Sequence, residues 1–185
     1  GLWRYIIGDT IKFTSKHPYR FVISGRTKSY MNAFGEELMV ENAENAISAA
    51  QLKCNCQVSE FTAAPIYITN TSKGRHEWAI EFAKEPLSLE EFSVVLDEEL
   101  KKCNSDYEAK RHGDLALLLP IINNCKSGTF YTWLKNKQKL GGQHKVPKLC
   151  NDRKILEEIL KIDNNEKNIC FSRGIFISLN GLHPK

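Results

Sequence analysis

Two neighbouring stretches, residues 57–69 and 77–83, constrain the fold more than any other part of the chain. In the second, Trp78, Ile80 and Phe82 alternate with Glu77, Ala79 and Glu81, and a period of two belongs to a strand with one buried face. In the first, Pro65 indicates a bend or a sheet edge, and residues 70–74 between the two stretches read as a hairpin turn. Ser88-Leu89-Glu90-Glu91 then has the form of a capping box, in which the serine and the second glutamate each satisfy an end donor of the other's turn. It starts a helix through Phe92, Val95, Leu96, Glu99 and Leu100 to about residue 104. Two strands followed by a helix predict an α/β (α+β) fold, a small antiparallel-rich mixed sheet with packed helices.

The remaining elements fit around that unit. Residues 3–7, 11–15 and 19–24 are short β-rich runs separated by Gly8-Asp9 and by Lys16-His17-Pro18, which makes a β-hairpin unit with tight turns. Across residues 40–54, Val40, Ala43, Ala46, Ile47, Ala50 and Leu52 recur at mostly helical spacing. Glu41 and Glu44 suit the positive end of that helix, and Glu36 and Glu37 read as further dipole-favouring charges at its entry. A buried strand is expected over residues 115–122, near an edge because of Pro120. A helix is expected over 129–138 with Phe130, Trp133 and Leu134 on one face, and a closing helix through Ile155, Leu156, Ile159 and Leu160 capped by Asn151 or Asp152. After residue 162 the chain turns polar, and it reads as a loosely attached tail.

At 185 residues the chain can bury one good core. Its 42% hydrophobic and 26% charged content is that of an ordinary globular domain, which excludes disordered and fibrous classes. The net charge of +4 is spread out, so Lys101-Lys102, Lys110-Arg111 and the lysines at 135, 137 and 139 read as solvated helix faces rather than a nucleic-acid patch. No run approaches the ~20 apolar residues of a membrane span, and no signal segment opens the chain. Of six cysteines only Cys54 and Cys56 are close in sequence, in a spacing that matches no common zinc site. Reduced thiols and a cytoplasmic location are expected, with no metal held by His17, His76, His112 or the cysteines.

The residues most suited to chemistry lie at the start. An ionised Asp9, after the strand-ending Gly8, offers two acceptors to the hydroxyls of a ribose. Arg26 supplies a fork of donors to the same sugar or to a phosphate, and Gly25 lets the backbone approach closely. Read alone, Gly8-Asp9 is as well explained by a turn and Arg26 by a solvated cation.

Order and wording add to this. Arg4-Tyr5-x-x-Gly8-Asp9, Gly25-Arg26-x-Lys28 and Phe34-Gly35-Glu36-Glu37 leading into Val40-Glu41-Asn42-Ala43-Glu44 resemble the domain junction of acyl-adenylate-forming enzymes. The finer resemblance is to the C-terminal part of the Gretchen Hagen three family, the auxin-responsive acyl acid-amido synthetases and their bacterial relatives. It covers residues 2 to about 162 and implies the end of an N-terminal adenylate-forming domain at 1–27, a C-terminal mobile domain at 28–162 and a tail of unknown role at 163–185. The larger N-terminal portion, with its phosphate-gripping loop and acyl pocket, is expected to be missing from this sequence.

By that resemblance Asp9 would hold the ribose hydroxyls of ATP, Arg26 would reach ribose or phosphate, and Tyr5 would support the strand. Lys28 stands where the superfamily places its hinge residue, although it also reads as a solvated turn lysine. Gln143-His144-Lys145-Val146-Pro147-Lys148 resembles the family's Gln-x-Lys-x-Pro-Arg segment, with Lys148 where plant members carry Arg. There Lys145 would be the catalytic donor to the α-phosphate and the reacting carboxylate. The implied reaction joins a carboxylic acid to an amine, expected to be an amino acid, through acyl-AMP. Mg²⁺ would arrive with ATP and be held mainly by the missing domain, and this fragment alone would be inactive. The rivals are a regulatory or protein-binding α/β module without activity, and thioester formation of the acyl-CoA synthetase kind.

Overall fold

The computed structural model describes residues 9–26, 30–69, 73–114, 116–138 and 145–172. It opens with an antiparallel hairpin of β1 (Asp9–Lys16) and β2 (Tyr19–Arg26). The strand expected over residues 3–7 lies outside the described residues. A second, very short pair, β3 (Tyr30–Met31) and β4 (Leu38–Met39), leads into α1 (Val40–Lys53). Its Met31 and Leu38 are fully buried in the same core as Trp78.

The central sheet has three strands in the order β5 (Gln57–Ile66), β6 (Arg75–Lys84) and β7 (Ile121–Cys125). β5 and β6 are antiparallel, as the hairpin reading expects, and β7 joins β6 in parallel. α2 (Leu89–Cys103), with Phe92, Leu96 and Leu100 fully buried, and α1, through Ala43, Ala46 and Ala50, share one core with the sheet residues Phe61, Ala63, Trp78 and Ile80. The alanines of α1 present almost no side chain, so its backbone lies close to its neighbours. Asn42 closes the corner by accepting from the Met39 amide at 3.0 Å and donating to the Cys103 carbonyl at 2.9 Å.

The sheet is covered on its other face as well, which departs from the one buried face read for β6. Ala64 and Ala79 belong to a second core with Phe130 and Trp133 of α4 (Thr129–Asn136) and Leu156 and Ile159 of α5 (Lys154–Ser172). Small alanines at the inner positions leave room for these helices, and so they look like neutral spacers in a hydropathy pattern. Glu81, expected to be wet, is buried and accepts from the Gly128 amide at 2.9 Å. It supplies from β6 the anion that the α4 N-terminus lacks in its own sequence. Gly128 takes a left-handed φ of 89°, which only glycine adopts at little strain.

Three further expectations are corrected. The strand read at 115–122 begins at Ile121, because Pro120 has no N–H for a ladder; Leu117 is buried instead through a lone bridge to Gly74. The Ser88 hydroxyl accepts from the Glu91 amide, but it donates to Glu90 rather than forming the full reciprocal box. Residues 163–172, read as the start of a loose tail, continue α5, and the buried Asp163 accepts from the Lys126 amide at 2.9 Å.

The turn into β6 is tight where Gly74 faces Phe34. A Cβ on Gly74 would meet the Phe34 ring at 2.4 Å. That ring is itself hemmed between Tyr67 and His76. Gly74→Ala is therefore expected to lower stability by about 1–3 kcal/mol through overpacking, read as a lower thermal midpoint with retained circular dichroism.

Candidate functional site

The Lys145 segment owes its position to β5. Residues 147–150 lie alongside that strand in parallel: the Thr62 hydroxyl donates to the Pro147 carbonyl at 2.7 Å, the Ala63 amide to the Lys148 carbonyl at 2.9 Å, and the Cys150 amide to the Ala63 carbonyl at 3.0 Å. Thr62 is fully buried, and Val146 is anchored in the second core. Lys145, one residue earlier, is exposed and makes no ion pair among the described residues. It is a cation on a short lead from a fixed backbone.

Lys148 differs. Its ammonium pairs with the Glu60 carboxylate and sits 4.4 Å from the centroid of the Phe61 ring. Its charge is already answered within the fold, so of the two lysines Lys145 is the one able to meet an incoming anion.

In the hairpin the register makes Asp9 and Arg26 direct cross-strand partners, with Thr10 opposite Gly25 behind them. Tyr5, Lys28 and His144 lie outside the described residues.

The structure also shows groupings that the sequence did not suggest. Glu36, read as a helix-entry charge, is fully buried. Its carboxylate accepts from the Phe34 and Ala33 amides at 2.7 and 3.2 Å and pairs with His76 Nε2 at 2.9 Å. Burial pushes its pKa up, but the His76 and backbone hydrogen bonds outweigh it and hold the carboxyl below its usual value. Asn151, read as a possible helix cap, instead spans to β3: its Oδ1 accepts from the Asn32 amide at 2.8 Å and its Nδ2 donates to the Tyr30 carbonyl at 3.0 Å. The capping falls to Asp152, which accepts from the Lys154 amide at 3.0 Å. No local signal marks Asn151, since its partners are more than a hundred residues away in sequence.

Burial raises the pKa values of Cys54, Cys56, Cys103 and Cys150, so these free thiols are poor nucleophiles. Among the described residues no three His, Cys, Asp or Glu side chains gather as metal ligands, and no helix is long and apolar enough to cross a membrane.

No curated protein matches the sequence. Among solved structures, the fold is similar to that of the GH3.15 acyl acid amido synthetase, with a TM-score of 0.69 and 22% identity over 88% of this chain and 32% of that one. It is similar also to the AtGH3.15 acyl acid amido synthetase in complex with 2,4-DB, with a TM-score of 0.66 and 18% identity over 87% of this chain and 30% of that one. The chain thus spans about a third of the length of these synthetases. The profile of the GH3 family C-terminal domain matches residues 41–154, from the first turn of α1 to the first residue of α5. The chain belongs to the GH3 family and carries its C-terminal domain.

Proposed function

We propose that this chain is the C-terminal part of an ATP-dependent acyl acid-amido synthetase, which activates a carboxylic acid as acyl-AMP and passes the acyl group to an amine, an amino acid in the simplest case. In the first half-reaction a carboxylate oxygen attacks the α-phosphorus, the bond to pyrophosphate breaks, and negative charge is brought together from both reactants. Positioned cations are most of what such a step needs. Lys145 takes that part, donating to the α-phosphate and the incoming carboxylate. Asp9 accepts from the ribose hydroxyls, Arg26 steadies ribose or phosphate, Tyr5 supports their strand, and Lys28 is the hinge. Mg²⁺ screens the phosphates when ATP is bound, and the larger N-terminal domain supplies its main ligands and the acyl pocket.

The observation that carries the reading is that Lys145 stands exposed and, among the described residues, unpaired just before a segment locked to β5, whereas Lys148 is neutralised by Glu60. The cross-strand pairing of Asp9 with Arg26 supports the nucleotide side of it.

ATP–pyrophosphate exchange by the full-length protein tests the reading. Asp9→Asn and Arg26→Ala should each raise the KM for ATP by about 10–100-fold, the worth of one charge-assisted hydrogen bond. Unchanged ATP dependence in both would remove the nucleotide role from the hairpin. The 185-residue chain on its own should catalyse no exchange.

A further inference from the structure

We propose, resting on the adenylation role given to Lys145 above, that Thr62 is a positioning residue: its hydroxyl holds the backbone two residues after Lys145, where the ladder to β5 has already stopped.

Residues two apart on a strand turn their amides and carbonyls to the same edge. Ala63 meets the parallel segment in this way, its amide donating to the Lys148 carbonyl at 2.9 Å and its carbonyl accepting from the Cys150 amide at 3.0 Å. Phe61 offers the next rung toward Lys145. Among the described residues that rung is not made. The Phe61 amide donates instead to the neighbouring Glu60 carboxylate at 3.2 Å, through the same oxygen that holds the Lys148 ammonium. Glu60 thus ends the ladder on the side where Lys145 lies.

A side chain takes the place of the missing rung. Thr62, between Phe61 and Ala63, donates from its hydroxyl to the Pro147 carbonyl at 2.7 Å. Thr62 is fully buried, so no water can substitute for either group. The only other anchor beside Lys145 is Val146, 3% exposed in the second core. Apolar packing has no direction, so it fixes how deep the segment lies and not how its peptides are turned. A hydrogen bond does have direction. Lys145 carries its ammonium on a four-carbon stem, so a small tilt of the backbone becomes a large displacement of the charge.

The test assays the two half-reactions of the full-length protein separately. Thr62→Val keeps the shape and loses the donor. It should lower kcat for ATP–pyrophosphate exchange by about 10–100-fold at an unchanged KM for ATP, because the reacting groups are displaced while the nucleotide contacts stay. Aminolysis of pre-formed acyl-adenylate should fall less. Thr62→Ser restores the donor and should recover most of the rate. Hydrogen exchange at the Cys150 amide should stay as slow as in the wild type in both variants, since the Ala63 rung is intact. Equal loss in both half-reactions, faster exchange at Cys150 in Thr62→Val, an unchanged adenylation kcat, or a serine variant no better than the valine one would each overturn the proposal. Lys145→Ala run in parallel separates the two readings. If it abolishes adenylation while Thr62→Val is silent, only the positioning role fails; if it is itself silent, the role of Lys145 fails and that of Thr62 with it.

Discussion

Lys145→Ala in the full-length protein is expected to slow acyl-adenylate formation by about 10²–10³-fold, the usual loss when one preorganised donor to a developing oxyanion is removed. The second half-reaction, started from acyl-adenylate, should change less, because the amine attacks the acyl carbon and the oxyanion forms there, while AMP takes the electron pair of the broken C–O bond only as it departs. Lys145→Arg keeps the charge but replaces a compact ammonium by a broad fork, so it should recover only part of the rate. Folding should be unaffected, because the side chain is exposed and unpaired among the described residues. A wild-type thermal midpoint beside a collapsed adenylation rate is the expected pair of measurements. Equal loss in both half-reactions would count against the assignment.

The largest effect on stability is expected at Asp97 of α2. Its carboxylate accepts from Arg111 Nε at 2.6 Å and Nη2 at 2.9 Å and from the Tyr107 hydroxyl at 2.7 Å, and it pairs with Lys101 at 2.6 Å. Arg111 lies in α3 (Ser105–Arg111), and its Nη1 donates to the Leu117 carbonyl at 2.8 Å. One buried acid thus binds α3 and the chain leading to β7 back onto α2. Removing Arg111 breaks both guanidinium bonds and leaves the buried carboxylate with only the partly exposed Lys101 as counter-ion, so Arg111→Ala should cost about 3 kcal/mol. That corresponds to a midpoint lower by roughly 10 °C. Arg111→Lys should rescue only in part, because a point charge cannot make the paired contact.

The same site sets a pH dependence. Burial alone would raise the Asp97 pKa, but Arg111, Lys101 and Tyr107 outweigh it and hold the carboxyl below its ordinary value. A depressed folded-state pKa means that the stabilisation is complete above the unfolded value of about 3.9 and is lost as pH falls through the folded one. Acid unfolding should therefore shift to higher pH in Arg111→Ala, where that protection is weakened.

Where local chemistry decides the outcome, the sequence is a good guide to this fold. The alternation of Trp78, Ile80 and Phe82, the Ser88 cap and the alanine periodicity of α1 each depend on residues a few places apart, and each element forms where expected. The misreadings involve partners far away in the chain. Whether Ala79 faces water or a helix depends on α4 and α5, and the register of β7 depends on where β6 offers its edge. Of the site, the order Asp9, Arg26 and Lys145 can be read directly, but the difference between Lys145 and Lys148 cannot, because it rests on Glu60 and Phe61 almost ninety residues earlier. Asn151 is the extreme case: as an isolated letter it is a cap candidate, and only the fold gives it β3.

The parallel segment beside β5 has one more consequence, for life among many copies of the same chain. Without residues 147–150, the amide and carbonyl of Ala63 would face outward as an open invitation to a foreign strand; with them, both groups are occupied. On the opposite border, β7 carries Asn123 and Asn124, whose amides are engaged with Glu77 and Glu85. The stretch that follows Lys145 is thus also a barrier to self-templated aggregation.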